Sequence, residues 1–210
     1  GHRSFLDSLG LLGRPEIELP ERGTPLLPSR WTDLSTMTIS YGHGLSVTPL
    51  QVAAAGAAIV NGGFKVSPTV VSQDGDMKAG KRVMCAQTSQ SMRQLMRLVV
   101  AEGTGRRADV VGYPVIGKTG TAEKAIKGGY SRKAVLTSFL SAFPADNPRY
   151  AMLVMLDEPQ GTKATYNFAT AGWNAAPLTG RIVRRIAPML GLKPEGRWQS
   201  PVQSVSFTQR

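Results

Sequence analysis

An apolar run over residues 110–116 leads directly into Gly117-Lys118-Thr119-Gly120-Thr121-Ala122. This junction constrains the fold more than any other stretch. The apolar run predicts a buried strand that continues into the polar one. Alternate side chains of a strand share a face, so Lys118 and Gly120 point one way and Thr119 and Thr121 the other. Gly120 leaves its face bare, with room for another backbone to approach. A cation and two hydroxyls beside such a gap suit an extended peptide that carries a carboxylate. Lys-Thr-Gly alone is a short match that recurs by chance, so the rest of the chain has to decide.

The spacing predicts a short helix over residues 3–13, with Phe5, Leu6, Leu9 and Leu12 near helical period and Gly13 as a stop. Residues 14–33 are punctuated by Pro15, Pro20, Pro25 and Pro28 and read as extended. Thr48-Pro49-Leu50-Gln51 supplies a cap, a first-turn proline and a capping-box partner. The helix it starts stops at Asn61-Gly62-Gly63. Residues 64–71 read as a strand broken by Pro68, and 74–82 as a polar turn. A further helix from about Thr88 places Met92, Leu95, Met96, Val99 and Val100 on one face and ends at Gly103-Thr104-Gly105.

After the Lys-Thr-Gly strand the reading gives a polar loop over 123–133, strands over 135–143 and 150–156, and a loop over 157–170. Only Pro144-Ala145-Asp146-Asn147-Pro148 joins those two strands, so they are antiparallel neighbours. A last helix from Asn174 buries Leu178, Ile182, Val183, Ile186 and Leu190. Helices first, then a three-stranded antiparallel sheet closed by a C-terminal helix, is an α+β arrangement. The expected organisation is one domain part over 1–192 and a polar tail over 193–210.

Function classes fall away in turn. A single cysteine, Cys85, permits no internal disulfide. With only His2 and His43 besides, no zinc site is expected, and no cofactor motif stands. Tyr41-Gly42-His43-Gly44 has Val47 where a dinucleotide loop needs glycine. Gly103, Gly105 and Ala108 follow a helix rather than a strand, which excludes the looser dinucleotide pattern. The net charge is +11, yet the basic residues, among them Arg93, Arg97, Arg107, Lys124 and Arg185, are scattered. No aromatic-interleaved basic ladder appears, so a solvated basic surface is expected and no nucleic acid as partner.

The stretch Tyr41-Gly42-His43-Gly44-Leu45-Ser46-Val47-Thr48-Pro49-Leu50-Gln51 resembles the Y-G-x-G-x-x-V-T-P-x-Q segment of class B penicillin-binding proteins. Asn61-Gly62-Gly63, Gly103-Thr104-Gly105, Gly117-Lys118-Thr119-Gly120-Thr121-Ala122, Phe143-Pro144-Ala145 and Asp157-Glu158-Pro159 fall in that family's order and spacing. Several independent motifs in one order are far more specific than Lys-Thr-Gly alone. The resemblance covers nearly the whole chain and is strongest to the septal, cell-division type.

The resemblance implies the C-terminal part of a penicillin-binding transpeptidase domain, in which a serine opens a D-Ala-D-Ala bond and passes the acyl group to a neighbouring stem peptide. β-Lactams trap that serine. Lys118 would serve the charge and proton network, Thr119 and Thr121 would face the substrate carboxylate, and the Thr121 N–H beside Gly120 would be one of two oxyanion donors. Tyr130, Tyr166 and Phe168 would form an aromatic wall for substrate. The implied partners are peptidoglycan stem peptides, β-lactam antibiotics and membrane proteins of the division machinery. The implied location is the periplasmic side of the inner membrane, anchored through an upstream segment.

The family also uses S-x-x-K and S-x-N, and neither occurs in these residues. The nearest, Thr121-Ala122-Glu123-Lys124, has threonine for serine and lies inside the Lys-Thr-Gly strand. A nucleophile needs its base within hydrogen-bond reach, so the chain by itself is expected to be inactive and its unpartnered faces to self-associate. The alternative is a non-catalytic interaction module of the same fold.

Overall fold

The computed structural model describes residues 1–72, 80–126 and 129–194, and for 125–126 and 129–133 the backbone alone. Its helices are α1 (His2–Ser8), α2 (Asp33–Ser40), α3 (Pro49–Val60), α4 (Ala86–Ala101) and α5 (Ala175–Met189). The strands are β1 (Ile116–Ile126), β2 (Gly129–Phe143) and β3 (Tyr150–Asp157), with single 3-10 turns at Arg106–Ala108 and Lys163–Thr165. They form one antiparallel sheet in the order β1-β2-β3. The α+β arrangement expected from the sequence is therefore the observed one. Most of the turn expected at 74–82 and all of the tail beyond Pro194 lie outside the described residues.

Local chemistry explains where the helices start. Thr48 accepts from the Gln51 backbone N–H, and the Gln51 side chain returns a bond to the Thr48 N–H at 3.1 Å. The buried Gln51 amide also donates to the carbonyls of Gly10 and Gly13, both at 2.8 Å, which ties the segment after α1 to α3. The helix α2 is not legible from periodicity. Its Ser and Thr residues are weak helix formers, and what starts it is a Thr32–Ser35 capping box.

The strands differ from expectation in three places. Residues 110–115 are turns rather than strand, because Gly112 sits at φ +82 and Pro114 cannot donate to a ladder. Val110 and Val115 are buried nonetheless. The polar loop expected at 123–133 is a continuation of the β1–β2 hairpin, with a register shift between Glu123 and Lys124. The strand expected at 64–71 reduces to one isolated bridge, Phe64 with Arg82.

The sheet is the middle layer of three. On one face Phe139, Val154 and Phe143 pack against Ala175, Ala176, Val183 and Ala187 of α5. The buried line of α5 is thus its small residues, and Leu178, Ile182, Ile186 and Leu190 flank it half-buried. Small residues let the helix approach the sheet closely. On the other face Ile116 and Ala142 pack against Val60 of α3 and Met96 of α4. The face of α4 is rotated from the expected one. Ser89, Met96, Arg97 and Val100 are buried while Leu95 is exposed. A charged residue inside the stripe hides it from a hydrophobicity pattern. Gly117 is required where Phe139 crosses under β1, since a Cβ there would lie 2.5 Å from the ring.

Candidate active site

The site is built on β1, which lies at the sheet edge and pairs only with β2. Among the described residues no backbone hydrogen bond covers its outer edge. Lys118 pairs with Leu140, and Thr119 with the fully buried Phe139. The ring of Phe139 therefore anchors the strand from below at the position of the motif. Lys118 is exposed, and its Nζ donates to the Thr119 carbonyl at 2.8 Å. At Gly120 the nearest group is the Ser138 hydroxyl, 2.5 Å from where a Cβ would stand. A side chain there would collide with β2, so the gap is filled from within the sheet.

Thr119 and Thr121 share the face turned toward α5, as strand alternation requires. The Thr119 hydroxyl lies 2.9 Å from the Thr104 hydroxyl. The Thr121 hydroxyl accepts from the Ala171 N–H at 3.2 Å. A hydroxyl that accepts still has its own proton to give, so Thr121 remains a donor. Gly172 follows directly, and a Cβ there would meet the Thr104 carbonyl at 2.6 Å. The turn after α4, the segment before α5 and the Lys-Thr-Gly strand thus converge on one point.

Of the three expected aromatic residues, Tyr166 and Phe168 come together and the side chain of Tyr130 lies outside the described residues. Both gather on Trp173, with Tyr166 edge-on at 5.5 Å and Phe168 stacked at 5.4 Å. The guanidinium of Arg107 lies 3.5 Å from the Trp173 ring centroid. Tyr166 and Asn167 sit in the left-handed region, at φ 50 and φ 61. The segment holds that conformation through a Thr162 cap and the Asn167 N–H bond to the Thr162 carbonyl. Tyr166 and Phe168 remain 73% and 52% exposed, so the cluster presents an aromatic surface rather than a core.

Sequence reasoning missed Thr104, Arg107 and Trp173. The signal for the first was present, because Gly103-Thr104-Gly105 is a helix stop that also puts a hydroxyl between two glycines. Arg107 and Trp173 carry no local signal. Lys124, four residues after Thr121's neighbour Gly120, is held by Asp157 at 2.7 Å and Glu158 at 2.9 Å. The Asp157 carboxylate, then that of Glu158, raises its pKa above the ordinary lysine value. Its ammonium is thus engaged at the far end of β3.

Known proteins resemble this chain in sequence and in fold. A family model described as "Penicillin binding protein transpeptidase domain" matches residues 2–180. The chain is 40% identical over 201 residues to "Probable peptidoglycan D,D-transpeptidase FtsI" of Caulobacter vibrioides, covering 90% of this chain and 34% of that protein. It is 37% identical over 203 residues to "Stage V sporulation protein D" of Bacillus subtilis, covering 90% of this chain and 31% of that one. The chain therefore spans about a third of the length of these curated relatives.

Among solved structures, the apo transpeptidase domain of Burkholderia pseudomallei penicillin-binding protein 3 superposes with a TM-score of 0.82 at 31% identity, over 92% of this chain and 58% of that one. Penicillin-binding protein 3 of Mycobacterium tuberculosis, solved with ampicillin, gives 0.79 at 32% identity, over 95% and 47%. Sequence motifs, fold and family match coincide, and the chain belongs to the penicillin-binding protein transpeptidase domain family.

Proposed function

We propose that this chain supplies one wall of a serine-type peptidoglycan D,D-transpeptidase site. The observation that carries the reading is β1, an edge strand whose free side runs past an exposed Lys118 and the donor hydroxyl of Thr121. An extended stem peptide ending in D-Ala-D-Ala adds along that edge as a further strand. Its terminal carboxylate meets the Thr119 and Thr121 hydroxyls, while the Lys118 ammonium on the other face of β1 serves the charge and proton network around the nucleophile. The Thr121 backbone N–H donates to the carbonyl oxygen as negative charge develops there.

The reaction transfers an acyl group. A serine supplied by the rest of the domain attacks the penultimate D-Ala carbonyl, D-alanine leaves with a proton, and a stem-peptide amine then takes the acyl group. A β-lactam follows the first step, but its leaving group stays tethered and the ester persists. Tyr166 and Phe168, gathered on Trp173, serve as the aromatic wall for substrate. The relative solved with ampicillin supports this reading of ligand class.

The acting protein works on the outer face of the inner membrane, beside membrane partners of the division machinery. Among the described residues no helix is long and apolar enough to cross a membrane. The test is intact mass after incubation with a fluorescent penicillin. The full-length polypeptide should gain one adduct and the 210-residue chain none. A full-length polypeptide that gains none would favour the other reading, a non-catalytic module that keeps the fold for interaction.

A further inference from the structure

The Thr104 hydroxyl lies 2.9 Å from that of Thr119, which faces the substrate carboxylate in the reading above. Thr104 is exposed, so hiding a polar group from water does not account for the contact. The turn that carries it is held from two sides. Gly105 donates to the Val99 carbonyl at 2.9 Å, and a Cβ on Gly105 would stand 3.0 Å from the Phe139 ring. Phe139 is also the cross-strand partner of Thr119. The turn and the strand therefore rest on the same buried ring, and Thr104 adds a polar tie above it.

The Thr104 carbonyl is packed against Gly172, whose neighbour Ala171 donates to the Thr121 hydroxyl. One residue thus touches both supports of the Lys-Thr-Gly-Thr hydroxyls. It reaches Thr119 directly and Thr121 through the segment before α5.

We infer that Thr104 is a positioning residue for acyl transfer. Its hydroxyl fixes the rotamer of Thr119 and, with the Ala171 N–H, the angle at which β1 presents Lys118 and Thr121. The inference rests on the transpeptidase reading and deepens it. A strand that must bind an anion developing in the transition state loses rate, rather than fold, when its hydroxyls are free to turn.

The test is the rate of acylation of the full-length polypeptide by a fluorescent penicillin, with Thr104→Val and Thr104→Ser. Valine keeps the shape and removes the hydroxyl. It should lower the second-order acylation rate about tenfold, the size of one hydrogen bond felt chiefly in the transition state, with an unchanged melting temperature. Serine restores the hydroxyl and should recover most of that loss. A Val variant that acylates at the parent rate overturns the inference. So does a Ser variant as slow as the Val variant, which would make the methyl group the contact that matters. An unsubstituted polypeptide that takes no penicillin would remove the transpeptidase reading itself, an outcome distinct from either of these.

Discussion

The guanidinium of Arg97 grips both carboxylate oxygens of Asp109, with Nη1–Oδ1 at 2.7 Å and Nη2–Oδ2 at 2.9 Å, from a position 6% exposed inside α4. The same Nη1 donates to the Val115 carbonyl at 2.8 Å, one residue before β1 begins. The turns at 110–115 have no ladder to hold them, and this arginine supplies the missing order. It sets where β1 starts and hence where Lys118 stands.

Removing Asp109 leaves that buried guanidinium short of its counter-ion. Because Asp109 is 40% exposed, water reaches the pair. Asp109→Ala should cost about 1–3 kcal/mol in urea unfolding, below the cost at a fully buried pair. Arg97→Met should cost a similar amount, and the double variant less than the sum. Additive losses in this cycle would show that the two residues act independently.

Lys118→Met in the full-length polypeptide should lower penicillin acylation by about a hundredfold or more, since the ammonium acts on charge that develops in the reaction. Its melting temperature should hold, because Lys118 is exposed and bonds only its neighbour's carbonyl. Acylation at the parent rate would take Lys118 out of the site.

Trp173 ties the segment before α5 to Arg107 in the turn after α4 by ring contacts. Trp173→Ala removes the face on which Phe168 and Arg107 lie and should destabilise the chain by about 1–3 kcal/mol. It should also speed proteolytic cleavage within 158–170. A cleavage rate equal to the parent's would mean that the Thr162 cap holds the segment without the tryptophan.

Lys124 gives a pH signature. Its folded pKa is raised above 10.5 by Asp157 and Glu158. A raised cation contributes stability that is full below the unfolded pKa and lost as pH climbs through the folded one. The gap in melting temperature between parent and Lys124→Met should stay level from about pH 7 to 9 and close above about pH 10.5. Salt should shrink it, since the pair is at the surface. A gap that widens in alkali would contradict the pairing.

Leu34, Met37 and Tyr41 are 68%, 64% and 72% exposed along α2 and its end. Such an apolar stripe is costly in water. Light scattering of the 210-residue chain should show concentration-dependent self-association, which Leu34→Glu and Met37→Glu together reduce. A clean monomer at high concentration would remove this face from consideration.

The sequence by itself determined the elements whose signals are local. The Thr48–Gln51 box starts α3 and Asn174 caps α5 because a cap needs only residues three apart or adjacent. The β2–β3 pairing follows from the short connection between two apolar runs. Family membership was legible from motifs in order, and so was the alternation that separates Lys118 and Gly120 from Thr119 and Thr121.

Tertiary structure alone decided what those hydroxyls meet. Thr104 reaches Thr119 across 15 positions and Ala171 reaches Thr121 across 50. Arg97 read as surface charge because periodicity records hydrophobicity and not the carboxylate that folding brings to it. Trp173 gathers Arg107, Tyr166 and Phe168 only after the sheet has fixed where α5 begins. Local propensity is summed along the chain, whereas a site is made of contacts between segments that packing brings together. For that reason the motif was readable in the sequence and its supports were not.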